Sequence, residues 1–322
     1  MVRRSSVPGS VRALTAPVVA VVALAALAGA CKKKAAPAGD DAGARVRITA
    51  AEAAAAFEAA CEEGDAESCR NLGVLLFEGS GIPADPARAS ALHERACEGG
   101  SAAACNNLGL MLLQGHGVDP DPARARRWFG RACDGGNLFG CRNLGLAIAR
   151  GDGGPREPAV ALTILRAACD DGLSLACTNA ATILAAGDGV ARDAAAAVKL
   201  WHRACDGGDP AGCRLLGGAY LRGDGVPQGA AAAAVWLERA CARNDGFACG
   251  VLGELHRDGK GVPRDEAKAQ GLLARACALG EVAACPPGGG GGGGGAGGGG
   301  GGDAGAAAGP AGGGGPGGLD AP

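Results

Sequence analysis

Fourteen cysteines fall into seven Cys-x7-Cys pairs that recur every 36 residues without a break: Cys61/Cys69, Cys97/Cys105, Cys133/Cys141, Cys169/Cys177, Cys205/Cys213, Cys241/Cys249 and Cys277/Cys285. A fixed period of this length is the signature of a stacked-repeat chain, in which each unit buries its apolar face only against its neighbours. Such a chain grows by adding units, so its 322 residues override the prior of about two globular domains that length alone gives. Paired cysteines in every unit also predict an oxidising compartment, where such bridges persist. Aromatic residues are only 3% of the chain against 48% hydrophobic residues in total. Ala, Leu and Val must therefore fill the interior, and one unit alone buries little apolar area.

The unit from Cys61 to Ala96 reads as a turn, a helix, a second turn and a second helix. Gly64 ends one helix, and the same slot holds Gly100, Gly136, Gly172, Gly208, Asn244 and Gly280. Gly, and secondarily Asn, tolerate the left-handed conformation that closes a helix. The next slot holds Asp65, Ser101, Asn137, Asp209 and Asp245, whose side chains accept from the exposed N–H groups of a new helix. Leu173 and Glu281 break that pattern, so the fourth and seventh units are expected to start less cleanly. The following helix, helix A, spans roughly 66–78 in the first unit and carries Asn71-Leu72-Gly73, repeated as Asn107-Leu108-Gly109 and Asn143-Leu144-Gly145. A helical glycine costs about 1 kcal/mol relative to alanine, so its recurrence predicts close approach by a neighbouring backbone.

A Gly-x-Gly element follows, as Gly79-Ser80-Gly81, Gly115-His116-Gly117, Gly187-Asp188-Gly189, Gly223-Asp224-Gly225 and Gly259-Lys260-Gly261. It has neither the preceding strand, nor the third glycine, nor the Lys-Ser/Thr of a phosphate-cradling loop, so a helix–helix turn is the better reading. Asp85-Pro86 and Asp121-Pro122 then supply an N-cap and a first-turn proline for helix B. Trp128, Phe129, Trp201 and Trp236 fall at nearly one place in helix B, which points to inter-helix packing rather than a ligand cage.

Both ends depart from the repeat. Arg3, Arg4 and Arg12 precede an apolar run from Val18 to Ala28, which is too short for a convincing membrane span and reads as an export signal over residues 1–30. Leu27-Ala28-Gly29-Ala30-Cys31 resembles the bacterial lipoprotein processing motif, and that resemblance makes Cys31 the lipidated first residue of the mature chain. Ordinary signal cleavage nearby would instead leave Cys31 a free thiol. The odd total of 15 cysteines favours lipidation, because seven pairs and one anchor leave none over. Removing 1–30 takes three arginines and no acids, so the net charge moves from −2 to −5. A mildly acidic chain is a poor partner for nucleic acid. Residues 31–48 read as a flexible tether, 49–285 as the repeat array of six full units with a half-unit at each end, and 286–322 as a Gly/Ala/Pro-rich tail predicted to be disordered.

The Asn-Leu-Gly, Gly-x-Gly-Val-Pro and helix-B patterns together resemble Sel1-like repeats, relatives of tetratricopeptide repeats. The Cys-x7-Cys at each junction is similar to the Helicobacter cysteine-rich protein family. The resemblance implies an all-α, right-handed superhelical solenoid of helix-turn-helix repeats with one disulfide per repeat. Within such a hairpin Cys61 and Cys69 flank the turn and face one another. A shifted pairing, Cys69 with Cys97, would also join neighbouring helices but orphans Cys61 and Cys285. Zinc would want four ligands in short clusters, and the pairs come with no periodic histidine: His93, His116, His202 and His256 fall at four different places in the unit.

Function is less constrained. The Helicobacter relatives imply β-lactam binding or weak β-lactamase activity, yet Ser-x-x-Lys, Lys-Thr-Gly, Gly-x-Ser-x-Gly and His-Glu-x-x-His are all missing from the sequence. No catalytic residue, metal or cofactor can be named. Related solenoids line a concave groove with helix A. There Asn71, Asn107, Asn143 and Asn179 recur once per unit, with Arg70, Arg142 and Arg214 flanking them in alternate units. That ladder would suit an extended peptide or glycan, or else would bridge helices within the stack; Leu215 and Val251 end it. The expectation is a monomeric, lipid-anchored scaffold of the bacterial envelope whose partner is a protein, a peptide or an envelope component.

Overall fold

Glycine sets where each helix stops, and short polar side chains set where the next begins. The computed structural model describes residues 49–285. Helix A of successive units is α2 (Ala66–Glu78), α4 (Ala102–Gln114), α6 (Leu138–Arg150), α8 (Ser174–Ala186), α10 (Pro210–Arg222) and α12 (Gly246–Asp258). Helix B is α1 (Ala50–Glu62), α3 (Pro86–Glu98), α5 (Pro122–Asp134), α7 (Pro158–Asp170), α9 (Ala194–Asp206), α11 (Ala230–Ala242) and α13 (Glu266–Ala278), followed by a 3-10 turn at Val282–Ala284. Every α-helix has 13 residues, and the described residues contain no strand. Each helix packs on the next, so the array is an all-helical repeat solenoid.

The turn from B to A is left-handed at Gly64, with φ 101°, and its equivalents down to Gly280; Asn244, φ 65°, is the only other residue type among the described residues to take a positive φ. Asp65, Asn137 and Asp245 then accept from Ser68, Gly140 and Ala248 N–H at 3.0, 2.7 and 2.8 Å. Leu173 gives α8 no side-chain cap, yet α8 keeps its full length because both neighbours pack on it. After Glu281 only the 3-10 turn forms, in a unit with no further helix to pack against among the described residues. Thr49 and Glu52 cap α1 reciprocally, at 2.8 Å from Thr49 N–H to the carboxylate and 3.2 Å from Glu52 N–H to the hydroxyl.

The turn from A to B is locked by contact as well as by dihedral angle. Gly117 has φ 76°, and a Cβ there would lie 2.3 Å from the carbonyl of Pro86, at the start of the preceding helix B. Gly153 and Gly225 meet the equivalent carbonyls of Pro122 and Ala194 as closely. The Gly-x-Gly element is therefore filled by protein from the previous unit.

Two alanines in each B helix after α1 (Ala89 and Ala96, Ala125 and Ala132, Ala161 and Ala168, Ala197 and Ala204, Ala233 and Ala240, Ala269 and Ala276) are completely or almost completely buried. Small side chains at these contacts let helices approach closely, which explains how an aromatic-poor chain builds a continuous core. Between the alanines a larger residue fills the space over the helix-A glycine. A Cβ on Gly109 would come 2.5 Å from the Phe129 ring, and one on Gly145 2.7 Å from Leu165. The helical glycines thus admit a side chain from helix B rather than the backbone expected from the sequence.

His93 takes that place in the first unit. It is 0% exposed, and neither ring nitrogen has a hydrogen-bond partner among the described residues. Burial, with Arg70 beside it, pushes its pKa down from 6.5 to about 4. Folding therefore favours the neutral ring, whereas the unfolded chain takes up a proton near pH 6.5. Stability is fully present above that pH, falls as pH drops towards 4 and levels off below it, by about 3 kcal/mol in all. His93→Leu should remove most of this slope when urea midpoints are compared across the interval; an unchanged slope would place the acid sensitivity elsewhere.

A second ladder, not anticipated from the sequence, ties helix B to helix B. Arg95, Arg131 and Arg203 donate to the main-chain carbonyls of Glu62, Cys97 and Cys169 at 3.2, 3.3 and 3.1 Å, one unit back. Arg203 and Arg239 also pair with Asp170 and Asp206 at 2.7 and 3.1 Å. The guanidinium adds a second donor at a helix end, where the Cys97 and Cys169 carbonyls also accept from Gly100 and Gly172 N–H. Its sequence signal is Arg-Ala-Cys at the period of the cysteines, missing at Ala59 and Ala167.

Candidate functional site

Each cysteine pair closes across the B-to-A turn, with Cα–Cα distances from 4.4 Å at Cys133–Cys141 to 4.9 Å at Cys277–Cys285. Cys61–Cys69, Cys97–Cys105, Cys169–Cys177, Cys205–Cys213 and Cys241–Cys249 complete the set. Their sulfurs are bonded to one another and mostly buried, so they staple the array rather than offer ligands or nucleophiles. The histidines are likewise engaged in structure. His116 packs on Phe77, His202 meets Trp236 edge-on at 4.4 Å, and His256 Nδ1 lies 3.2 Å from the Pro263 carbonyl. Trp128 and Trp236 are half-buried beneath Arg131 and Arg239, at 5.1 and 4.8 Å.

The surface is set by how the helices stack. α4 touches α6, α6 touches α8 and α8 touches α10, whereas among the described residues no two B helices meet as closely. Helix A therefore lines the inner side of the array, and equal positions of successive A helices stand side by side. The asparagine ladder lies on this side, and most of it is turned into the stack. Asn143 donates to Asn106 at 2.8 Å, while Arg142 donates to Asn179 at 2.9 Å and to Asn143 at 3.3 Å. Asn107 is 0% exposed and Arg70 is buried beside Glu67, which it contacts at 2.7 Å. Asn71 is half-buried, and Arg214 pairs with Asp245 at 3.0 Å. Asn143, Asn179 and Arg142 thus join three successive A helices, and the ladder forms a floor rather than a row of free donors.

The side chains that project from this floor belong to another register. The second residue of helix A is Phe139 in α6, Leu175 in α8 and Phe247 in α12, exposed by 43%, 37% and 53%. Arg214 reaches over the Phe247 ring at 5.7 Å. The signal for this stripe was the same 36-residue period, read at a position that the capping pattern had drawn attention away from.

The geometry defines a helical-repeat solenoid with one local disulfide per unit and a continuous inner face. The Sel1 repeat profile matches residues 66–101, 102–137, 139–173, 174–209, 210–245 and 247–281, and the chain belongs to the Sel1 repeat family. A protective antigen of uropathogenic Escherichia coli with an SLR fold is 28% identical, with TM-score 0.65 over 72% of this chain and 50% of its own; this chain thus spans half the length of that protein. A Sel1 repeat protein from Oxalobacter formigenes is 26% identical, with TM-score 0.65 over 70% of this chain and 93% of its own. Cysteine rich protein B of Helicobacter pylori is 28% identical over 40% of this chain and 93% of its own, with TM-score 0.35. No curated protein sequence matches the chain. Seven disulfides suit an oxidising, exported environment, and no described helix is long and apolar enough to cross a membrane. Cys31, the leader, the tether and the tail from Pro286 lie outside the described residues.

Proposed function

We propose that this protein is an exported, disulfide-stapled scaffold whose inner helix-A face holds a protein, a peptide or another component of the cell envelope. The observation that carries this reading is the side-by-side packing of α4, α6, α8 and α10, which turns one residue position into a continuous stripe. Asn143, Asn179 and Arg142 stiffen the floor beneath it, with Asn71, Asn107, Arg70 and Arg214 at the equivalent helix-A positions. The partner contacts the projecting side chains above. A photo-cross-linker at Phe139 should capture the partner in envelope extract, while one at the exposed Val235 on α11 should not. The reverse pattern would move the binding face to the outside.

Attachment at Cys31 is the second part of the proposal, supported by the Leu-Ala-Gly-Ala-Cys sequence and by the odd cysteine count. Residues 1–30 act as the signal, 31–48 as the tether and 286–322 as a tail beyond the array. Mass spectrometry of the mature N-terminus should find a diacylglyceryl group on Cys31; a free thiol there would remove the anchor. The competing enzymatic reading, β-lactam hydrolysis as implied for the Helicobacter relatives, is tested with nitrocefin. Turnover that copurifies with the folded, oxidised protein would overturn a pure scaffold.

A further inference from the structure

We infer that Cys277–Cys285 is a thiol-exchange site: of the seven bridges, it alone is open to a low-molecular-weight thiol while the array stays folded. A thiolate must reach a sulfur to exchange with a disulfide, so access decides which bridge reacts. In the other six pairs every cysteine but Cys133 is buried, whereas Cys277 and Cys285 are both half-exposed.

The repeat explains the difference. Each of the six earlier bridges shares a buried cluster with the second buried alanine of the next B helix. Ala96 and Ala132 accompany Cys61–Cys69 and Cys97–Cys105. Ala168 and Ala204 accompany Cys169–Cys177 and Cys141, against which the half-exposed Cys133 packs. Ala240 accompanies Cys205–Cys213, and Ala276 accompanies Cys241–Cys249. Cys277 and Cys285 follow α13, the last B helix among the described residues, so no such alanine reaches them there. From Pro286 the sequence is Gly, Ala and Pro but for Asp303, Leu319 and Asp320, and it does not continue the repeat pattern.

The second cysteine of each earlier pair lies in a 13-residue helix A held between two B helices. Cys285 only caps the 3-10 turn, which packs on α13. In the segment that the bridge closes, Leu279 and Val282 are 39% and 79% exposed.

In the exchange, the attacking thiolate forms an S–S bond to one cysteine, and the other leaves with the electron pair of the broken bond. A second thiol displaces the first, so two thiols are oxidised to their disulfide while Cys277 and Cys285 are reduced and take up the two protons released. An enclosed bridge reacts only after its unit opens, and the end of a repeat array opens without its neighbours. The change is therefore confined to the link between α13 and the 3-10 turn.

The probe is reduced glutathione at fixed concentration, added to the oxidised protein, with timed N-ethylmaleimide quenching and peptide mass spectrometry. Cys277 and Cys285 should become alkylated or glutathione-linked about tenfold faster or more than Cys205 and Cys213, which are both 0% exposed. The far-UV helical signal should be unchanged once this first pair has reacted. Cys277→Ser with Cys285→Ser should remove the fast phase and leave the other six bridges reacting as before. All seven bridges opening at one rate, Cys133–Cys141 opening first, or a fast phase that survives the double substitution would overturn the inference. So would loss of the helical signal in step with the fast phase, because the bridge would then open by unfolding and not by access.

Discussion

Reducing the seven disulfides should unfold the array, or leave it barely folded, at room temperature. Each bridge joins cysteines 8 residues apart in sequence, and for so short a loop the chain-entropy account gives about 2–3 kcal/mol of stabilisation per bridge. In a repeat array the contributions accumulate unit by unit. Seven of them match or exceed the roughly 5–15 kcal/mol that separates most native domains from the unfolded state. The core offers little to compensate, because its completely buried positions are largely alanine and cysteine. The far-UV helical signal, followed in urea with and without dithiothreitol, should show the midpoint collapse on reduction. A midpoint that barely moves would mean that packing alone holds the stack.

The largest effect of a single side chain is expected in the Gly-x-Gly turn. Gly117 and Gly100 both have positive φ, 76° and 99°, so alanine is strained at either place. Their surroundings differ. A Cβ at Gly100 meets nothing within 4 Å, whereas at Gly117 it would lie 2.3 Å from the Pro86 carbonyl and 2.7 Å from the Ala87 nitrogen. Neither main-chain atom can swing aside, so unit must part from unit. Gly100→Ala should cost about 1 kcal/mol, and Gly117→Ala about 3 kcal/mol or more once overpacking is added to the strain. Urea midpoints of the two variants check the difference. Equal losses would show that the turn needs only the dihedral angle and not the contact.

That contrast marks what a sequence of this kind discloses. The period, the left-handed glycine slot, the Asp-Pro starts and the cysteine pairs were legible because each is local, set by main-chain geometry within a few residues. Thr49-Ala-Ala-Glu52 was equally local, a capping box that the reading passed over. What stayed hidden depends on the next unit. The meaning of Gly73 lay in His93 of the following helix, and the meaning of Arg203 in a carbonyl at Cys169. The site was less legible still. The asparagine ladder was conspicuous in the sequence, but whether such a side chain faces solvent or the neighbouring helix depends on how closely the A helices pack. The inner face is instead outlined by Phe139 and Leu175, neither of which stands out from the composition.

The account rests on one claim above the others: the cysteine period is a row of local staples, and these hold the inner face in place. An acidic residue or an arginine lies between the two members of every pair, from Glu62 and Glu63 to Glu281. Proteolysis of the unreduced protein at Asp, Glu and Arg therefore separates partners that only a disulfide can hold together. Mass spectrometry of that digest should find Cys61 linked to Cys69 and the same spacing in all seven units. Peptides joining Cys69 to Cys97, or cysteines recovered as free thiols within the array, would contradict it.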